Sequence, residues 1–300
     1  MIAIPPSHLD LLDRALPAAL TTEMPDGRLQ TTVVWYERER DHVLLNTMRE
    51  FQKARNLRDR PRATVLVVDP DETARWIEIR GDALLEDDGA LDHLDGLARR
   101  YTGTAPYFGA VVDADLARVE HPLRVRLVPA AVVTGRRVVR ETGRTDAPAP
   151  VRWNERGTCE TDVTIPASHE DLLGRPLIGA LATRLPDGRA QTQPVWYERD
   201  GHDVLVHTTR ERRKGRNLEA DPRATLLIVD PDDSARWIEI RADVDLLEDP
   251  EAEGLDRLTR RYTKHEHYYG SVYPPERRHR ETRVIARLHP RRVVCDAIHG

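Results

Sequence analysis

The chain repeats itself after about 161 residues, and this duplication constrains its fold more than any other feature. The best-matched stretches are Ile4–His8 with Ile165–His169, Val34–Arg38 with Val195–Arg199, and Ala74–Arg80 with Ala235–Arg241. One long repeat predicts two copies of a single domain rather than a solenoid of short units. We therefore expect a first domain at residues 1–140, a linker rich in Gly, Pro, Thr and Asp at 141–163, and a second domain at 164–300.

Composition narrows the functional classes that such a pair of domains can serve. Of the 300 residues, 39% are hydrophobic and 32% are charged, which is typical of a soluble globular protein. No apolar run has the length of a membrane span and the N-terminus lacks a secretion signal, so we expect a cytoplasmic protein with no membrane partner. The net charge of −5 also argues against a nucleic-acid partner.

Turn signals and hydrophobic patterning predict the same layout in each copy. In copy one, Ser7 followed by Asp10 predicts a capped helix, and Asp26-Gly27 predicts a tight hairpin. The other predicted elements are strands at 18–23, 30–37, 42–47, 63–69, 75–86, 123–128 and 131–134 and helices at 49–59 and 91–101. At least six strands with two or three short helices favour a mainly β fold, an antiparallel barrel with peripheral helices.

A basic segment after the third predicted strand is the main chemical signal. Residues 210–216 carry a net charge of +4, whereas the matching residues 49–55 carry +2. Hydroxyl groups of Thr208 and Thr209 precede this segment at a helix start, where free backbone N–H groups and arginines suit a phosphate. The alternative is a solvated helix face, which charge alone favours because most charge runs face water.

The order of motifs resembles a known family. Copy two reads Lys214-Gly-Arg-Asn-Leu, then Asp221-Pro-Arg-Ala, then Arg236-Trp-Ile-Glu-Ile-Arg. This order resembles the pyridoxamine 5′-phosphate oxidase-like split barrels, and most of all their flavin- and deazaflavin-dependent branch, many members of which use coenzyme F420. The resemblance implies two tandem FMN-binding-type split β-barrels. Family members are dimers with cofactors between the subunits, so the two copies are expected to form an intramolecular pseudo-dimer, an arrangement compatible with a monomeric chain.

The resemblance also implies cofactor-binding residues by position. Arg213 and Lys214, with Thr208, would hold the cofactor phosphate in copy two, and Lys53 and Thr47 match two of them in copy one. Gln52 stands where copy two has Arg213, which makes copy two the stronger phosphate site. The residues expected along the cofactor ring are Gln191, Val195 and Trp196, their matches Gln30, Val34 and Trp35, and Trp76 and Trp237, each reaching across from the other copy.

These expectations lead to a functional hypothesis with alternatives. The resemblance implies an oxidoreductase in which reduced F420 or FMN passes a hydride to an unsaturated organic substrate, and it identifies no catalytic residue. Pyridoxamine phosphate oxidation is not expected, because the basic residue often found at Gln193 is missing. The alternatives are a non-catalytic protein that binds a flavin, a deazaflavin or a haem-type tetrapyrrole, and a scaffold without cofactor.

Two further groups of residues recur or stand out in the sequence. Tyr107 and Tyr268 follow a predicted helix, and we interpret them as plugs of the barrel ends rather than as pocket lining. His265 and His267 flank one glutamate, but copy one has no match and no third ligand is evident. We therefore predict no metal site.

Overall fold

The computed structural model describes residues 2–135, 159–161 and 164–296. Most of the predicted linker at 141–163 therefore lies outside the described residues, and its boundaries stay a prediction. Within the described ranges, no helix is long and apolar enough to cross a membrane. The described part of the chain forms two mainly β units, one from each copy of the repeat.

Copy one is a curled, fully antiparallel sheet with three helices. Its strands are β1 (Ala18–Glu23), β2 (Leu29–Val34), β3 (Tyr36–Glu39), β4 (His42–Met48), β5 (Arg62–Val68), β6 (Trp76–Glu86) and β7 (Pro122–Thr134). Its helices are α1 (Leu9–Asp13), α2 (Gln52–Asp59) and α3 (Ala90–Thr102). The strand order is β2-β1-β5-β6-β7-β4-β3. This is the predicted barrel with peripheral helices.

Copy two repeats this topology. A short strand, β8 (Cys159–Thr161), pairs with the last strand of the copy. The other strands are β9 (Gly179–Arg184), β10 (Ala190–Val195), β11 (Tyr197–Asp200), β12 (Asp203–Thr209), β13 (Arg223–Asp230), β14 (Asp233–Glu248) and β15 (Arg283–Cys295). The helices are α4 (Glu170–Gly174), α5 (Arg213–Ala220) and α6 (Glu253–Tyr262). The order β10-β9-β13-β14-β15-β12-β11 matches copy one strand for strand, which confirms the predicted pair of tandem split barrels.

Local sequence chemistry explains some elements and not others. The Asp-Gly hairpin is confirmed: Gly27 has a φ of +80°, and the Arg28 N–H donates to Asp26 Oδ1 at 3.0 Å. The predicted serine cap is wrong, because Ser7 Oγ bonds His8 Nδ1 at 2.9 Å and makes no cap. Such local bonds compete with helix capping for the same hydroxyl.

Three predicted element boundaries also differ from the structure. The strand predicted at 30–37 is interrupted at Trp35, and the two strands predicted at 123–128 and 131–134 are one continuous β7. The helix predicted from residue 49 begins at Gln52. The boundary at Gln52 matters most for the functional site, because it fixes the direction of the side chains just before α2 and α5.

Each barrel has its own apolar core, closed by a tyrosine. Tyr36 is fully buried, and its hydroxyl donates to the Leu11 carbonyl at 2.7 Å. The matching Tyr197 donates to the Leu172 carbonyl at 2.6 Å. Buried tyrosines are favourable where the ring packs and the hydroxyl has a partner. These bonds fix α1 and α4 to the barrel walls in the same way in both copies.

The two barrels share a polar interface that is symmetric between the copies. Glu78 of β6 accepts the Thr192 N–H of the other copy at 2.7 Å, and Glu239 accepts the Thr31 N–H at 2.6 Å. Thr21 and Thr192 also join their hydroxyls across the interface at 2.7 Å. Because these groups are buried, each bond satisfies a polar atom that would otherwise be costly to remove from water.

An apolar cluster surrounds these polar contacts. It combines residues from both copies: Ala19, Leu66, Leu227, Trp237 and Val294. Burial of apolar surface contributes roughly 25 cal/mol per Å², so this shared cluster stabilises the pairing of the barrels as well as each barrel. The two copies therefore pack as a pseudo-dimer around one common core, and clefts open at its margins.

Candidate functional site: two clefts between the copies

Each of the two clefts is built from both copies. Cleft one, of about 690 Å³, lies on copy one and is completed by Trp237 of copy two. Cleft two, of about 770 Å³, lies on copy two and is completed by Trp76 of copy one. The two tryptophans that the resemblance places across the interface thus reach the clefts as expected.

Most of the predicted cofactor residues lie at these clefts. Those that line cleft one are Val34, Trp35, Thr47 and Lys53, and those that line cleft two are Val195, Trp196 and Lys214. Thr208 is buried at the end of β12, and its Oγ1 has no hydrogen-bond partner among the described residues. Thr208 and three other predicted residues, Gln30, Gln191 and Arg213, are not part of either cleft lining.

Arg212, not Arg213, is the arginine that lines cleft two. Arg213 is exposed, whereas Arg212 lies over the Tyr273 ring at 5.4 Å and faces the cleft. Arg212 is the residue just before α5 and has an extended backbone, with φ −74° and ψ 150°. Its side chain therefore points in a direction that helical spacing does not predict. Its match in copy one is Phe51, which also lines its cleft.

The two predicted glutamines instead hold a helix in place. Asn56 of α2 donates from Nδ2 to Gln30 Oε1 at 3.1 Å and to Thr22 Oγ1 at 3.0 Å. In copy two Asn217 donates to Gln191 Oε1 and to a threonine hydroxyl at the same distances. The asparagine of the recurrent Arg-Asn-Leu motif therefore anchors the helix beside each cleft. The glutamines position α2 and α5 and lie outside both cleft linings.

Cleft two concentrates positive charge. Burial, with the added repulsion of Arg212 and Arg283, lowers the pKa of Lys214 to about 8. Arg283 is 4% exposed, and its Nε and Nη2 have no hydrogen-bond partner among the described residues. Buried guanidinium donors without acceptors are costly. An anionic ligand in cleft two would supply those acceptors and relieve the repulsion.

Cleft one lacks most of that charge. Arg212 and Arg283 are matched in copy one by Phe51 and Pro122, and Thr209 is matched by Met48. Phe51 and Met48 line cleft one with apolar surface. Lys53 is the counterpart of Lys214, and burial lowers its pKa to about 8 while the charge of Glu239 opposes the shift. The two clefts therefore have the same backbone frame and very different electrostatics.

Stacked aromatic rings fix one wall of each cleft. Trp35 stacks on Tyr101 with ring centroids 5.2 Å apart and meets the edge of Tyr107 at 6.2 Å. In copy two, Trp196 stacks on Tyr262 at 5.2 Å and meets the edge of Tyr268 at 6.3 Å. The hydroxyls of Tyr101 and Tyr262 bond backbone carbonyls, which locks the stack. Such preorganised walls suit a flat ring system.

Tyr107 and Tyr268 line the clefts as well as packing. Each lies in the cleft lining of its copy and each contacts the cleft tryptophan. The interpretation of these residues as plugs of the barrel ends is therefore wrong. Their recurrence beside a second aromatic residue in both copies was the available signal, and it does not distinguish packing from lining.

A histidine occupies the same region of both copies but comes from different elements. In copy one His93 of α3 faces Asn46 of β4, whose Nδ2 lies 3.3 Å from His93 Nδ1. In copy two the histidine is on the other element. His207 of β12 corresponds to Asn46, and Gly254 of α6 corresponds to His93 and leaves room for the His207 ring. Burial lowers the pKa of His93 to about 4. A paired exchange of this kind keeps one imidazole per site while changing its charge.

His207 adds a titratable group to cleft two. Burial alone would lower its pKa, but hydrogen bonds to Asp249 at 3.3 Å and Glu198 at 3.4 Å outweigh burial and raise the pKa. Arg257 also pairs with Glu198 at 2.7 Å. His207 lies in the cleft lining, so an imidazole whose protonated form is stabilised by two carboxylates borders the site.

Substitution of Gly254 by alanine tests this arrangement. A Cβ at this position would lie 2.2 Å from His207 Cε1, so the ring could move away only by giving up its bonds to Asp249 and Glu198. We expect Gly254→Ala to lower the free energy of unfolding by about 1–3 kcal/mol, as overpacking does. Gly96→Ala in α3 is the control, since no atom lies within 4 Å of its Cβ and alanine should stabilise the helix by up to about 1 kcal/mol. Equal effects in urea denaturation would contradict the packing argument.

The residues of cleft two fit a phosphate-bearing planar cofactor. Three cationic groups in its lining favour the phosphate: Arg283 with its unpartnered donors, the crowded Lys214 ammonium and Arg212. Trp196 and Trp76 provide flat apolar surface for a ring from two sides of the interface. The fit is weaker in cleft one, where Lys53 is the cation in the cleft lining.

Comparisons with known proteins agree with this architecture. A family profile described as pyridoxamine 5′-phosphate oxidase matches residues 4–128 and again 165–294. A solved structure titled F420 reductase is 35% identical, covers 42% of this chain and 95% of its own, and has a TM-score of 0.37. A conserved hypothetical protein from Mycobacterium tuberculosis is 26% identical, with 46% and 89% covered and a TM-score of 0.35.

A putative pyridoxamine 5′-phosphate oxidase from Listeria innocua is 18% identical, with 43% and 94% covered and a TM-score of 0.34. A search among curated proteins found no match. The family profile matches most of both halves of the chain. The chain therefore belongs to the pyridoxamine 5′-phosphate oxidase family, as two tandem split barrels in one polypeptide.

Proposed function

We propose that the protein is an oxidoreductase that binds reduced F420 or FMN in cleft two and transfers a hydride to an unsaturated organic substrate. The observation that carries the proposal is the cluster of cationic side chains in the lining of an aromatic cleft. Arg212, Lys214 and Arg283 supply positive charge there, and two donors of the buried Arg283 have no hydrogen-bond partner among the described residues. The family resemblance of the Lys-Gly-Arg-Asn-Leu block supports the choice of cofactor.

The protein's own residues have binding and positioning roles in this proposal. Arg212, Lys214 and Arg283 hold the phosphate, and Trp196 and Trp76 orient the ring. Burial of these groups excludes water, which strengthens their charge interactions. The bound cofactor would supply the hydride chemistry. No general acid or base is assigned, because the described cleft residues are explained by binding and packing.

Two measurements on the purified protein test the proposal in turn. Titration with FMN and with F420, followed by fluorescence, should show one tight site per chain, and the tighter of the two identifies the cofactor. Hydride turnover is then measured as loss of reduced-cofactor absorbance with a panel of activated alkenes. Tight binding with no turnover would favour a flavin or deazaflavin carrier, and haem binding in place of either would favour the tetrapyrrole alternative. Absence of any binding would refute the proposal.

Binding should depend on pH through Lys214. Its pKa in the free protein is about 8, and a bound phosphate raises that pKa, so binding above pH 8 requires uptake of a proton. We expect affinity to be flat from pH 7 to 8 and then to fall by up to about tenfold per pH unit. Lys214→Arg keeps the charge and should remove the fall. A profile that is identical in this variant would show that another group controls binding.

A further inference from the structure

Cleft one differs from cleft two at the positions that would hold a phosphate. Phe51, Met48 and Pro122 occupy the places of Arg212, Thr209 and Arg283. A phosphate dianion in cleft one would meet the Lys53 ammonium with the Glu239 carboxylate nearby. Burying a dianion with so little compensation is unfavourable. The cleft nevertheless remains open, with a volume of about 690 Å³.

The lining of cleft one is mostly aromatic and aliphatic. Trp35, Phe51 and Tyr107 of copy one and Trp237 of copy two lie around it, and Leu94 adds aliphatic surface. Predominantly apolar walls with few polar groups are the usual composition of small-molecule sites. A ligand with an aromatic ring would bury apolar surface against all of these side chains.

Two groups in cleft one can donate to a ligand, and Asn46 Oδ1, an acceptor without a hydrogen-bond partner among the described residues, lies in the same lining. Lys53 is 6% exposed, and Nζ lies 4.9 Å from the Phe51 ring centroid; within the described part of the chain it forms no ion pair. The Thr47 hydroxyl is buried in the same lining, and its Oγ1 has no hydrogen-bond partner among the described residues. One ammonium and one hydroxyl match the needs of a single carboxylate.

We propose that cleft one binds an aromatic monocarboxylate, with the carboxylate at Lys53 and Thr47 and the ring between Trp35 and Trp237. One negative charge balances one ammonium, which a phosphate dianion does not. This inference concerns the other cleft and does not rest on the proposed cofactor in cleft two. It assigns different ligands to two clefts that share one fold.

The test uses the full chain and three matched naphthalene probes: 2-naphthoate, 2-naphthamide and 2-naphthyl phosphate. Binding is measured by calorimetry and by quenching of tryptophan fluorescence. Lys53→Met and Lys214→Met are equivalent changes in the two copies, so each serves as the control for the other. We expect Lys53→Met to weaken 2-naphthoate binding at least tenfold and Lys214→Met to change it less than about twofold. Wild-type protein should bind the neutral amide at least tenfold more weakly than the carboxylate.

A second variant keeps the test decisive if Lys53→Met is unstable. Phe51→Arg places a second cation in cleft one and should increase the binding of 2-naphthyl phosphate at least tenfold in a Lys214→Met background. Loss of 2-naphthoate binding in Lys214→Met, or equal binding in all variants, would overturn the assignment. So would two equivalent FMN sites per wild-type chain. Failure of cofactor binding at cleft two alone would leave the 2-naphthoate result intact.

Discussion

Replacing both Arg212 and Lys214 with methionine should weaken the binding of FMN or F420 by about 100-fold or more, because each charged hydrogen bond to a phosphate contributes about 1.5–3 kcal/mol. Both side chains line cleft two, and methionine preserves their length and packing. Arg283 and the Thr208 hydroxyl would remain, so weak residual binding is expected. Fluorescence titration of the purified variant measures the change.

Two matched variants test whether this loss of cofactor affinity arises in cleft two. Arg213→Met removes a charge from the adjacent exposed residue and should change affinity less than about threefold, since exposed charges are screened. Lys53→Met removes the equivalent ammonium from cleft one and should leave cofactor affinity unchanged. If Arg213→Met instead matched the double variant in its loss, the phosphate would lie outside cleft two. If Lys53→Met matched it, both clefts would bind cofactor.

Removal of Glu78 should produce the largest change in stability. Glu78 is fully buried, pairs with Arg80 at 2.7 Å and accepts the Thr192 N–H from the other copy. Burial raises the pKa of Glu78, and Arg80 opposes the shift. Glu78→Ala leaves a guanidinium and an N–H without their acceptor, so we expect the free energy of unfolding to fall by about 3–5 kcal/mol.

The symmetry of the interface supplies the comparison for Glu78→Ala. Glu239 has the same position in copy two, pairs with Arg241 and accepts the Thr31 N–H, so Glu239→Ala should cost a similar amount. Arg118→Ala breaks an ion pair in which the arginine is 80% exposed and should change stability by less than about 0.5 kcal/mol. Urea denaturation of the three variants measures the differences. A Glu78→Ala loss no larger than that of Arg118→Ala would show that the interface contacts contribute little.

The repeat made the fold predictable, because both copies had to satisfy one topology. The Asp26-Gly27 hairpin and the paired strands follow from local chemistry that recurs in each copy. The sequence did not predict that Arg212 is the arginine in cleft two. The direction of its side chain depends on an extended backbone just before α5. Sequence spacing gives no information on side-chain direction at such a helix boundary.

Other parts of the site left a signal that is clear only with the structure. Gln30 lies near the start of β2 and bonds Asn56, whereas Val34 and Trp35 at the other end line the cleft. The exchange of Asn46 and His93 for His207 and Gly254 is visible when the copies are aligned. The reason for the exchange is a tertiary contact that the sequence does not show. A Cβ at residue 254 would lie 2.2 Å from His207 Cε1, and glycine avoids this clash.

Covalent fusion of the two barrels removes a constraint that a symmetric dimer imposes. In a homodimer every codon contributes to both clefts, so a change that suits one cleft is forced on the other. Here Phe51 and Arg212 are encoded separately, whereas Trp76 and Trp237 still require each copy to complete the opposite cleft. The chain can thus vary the charge of one cleft without altering its twin, while neither half is dispensable to the other.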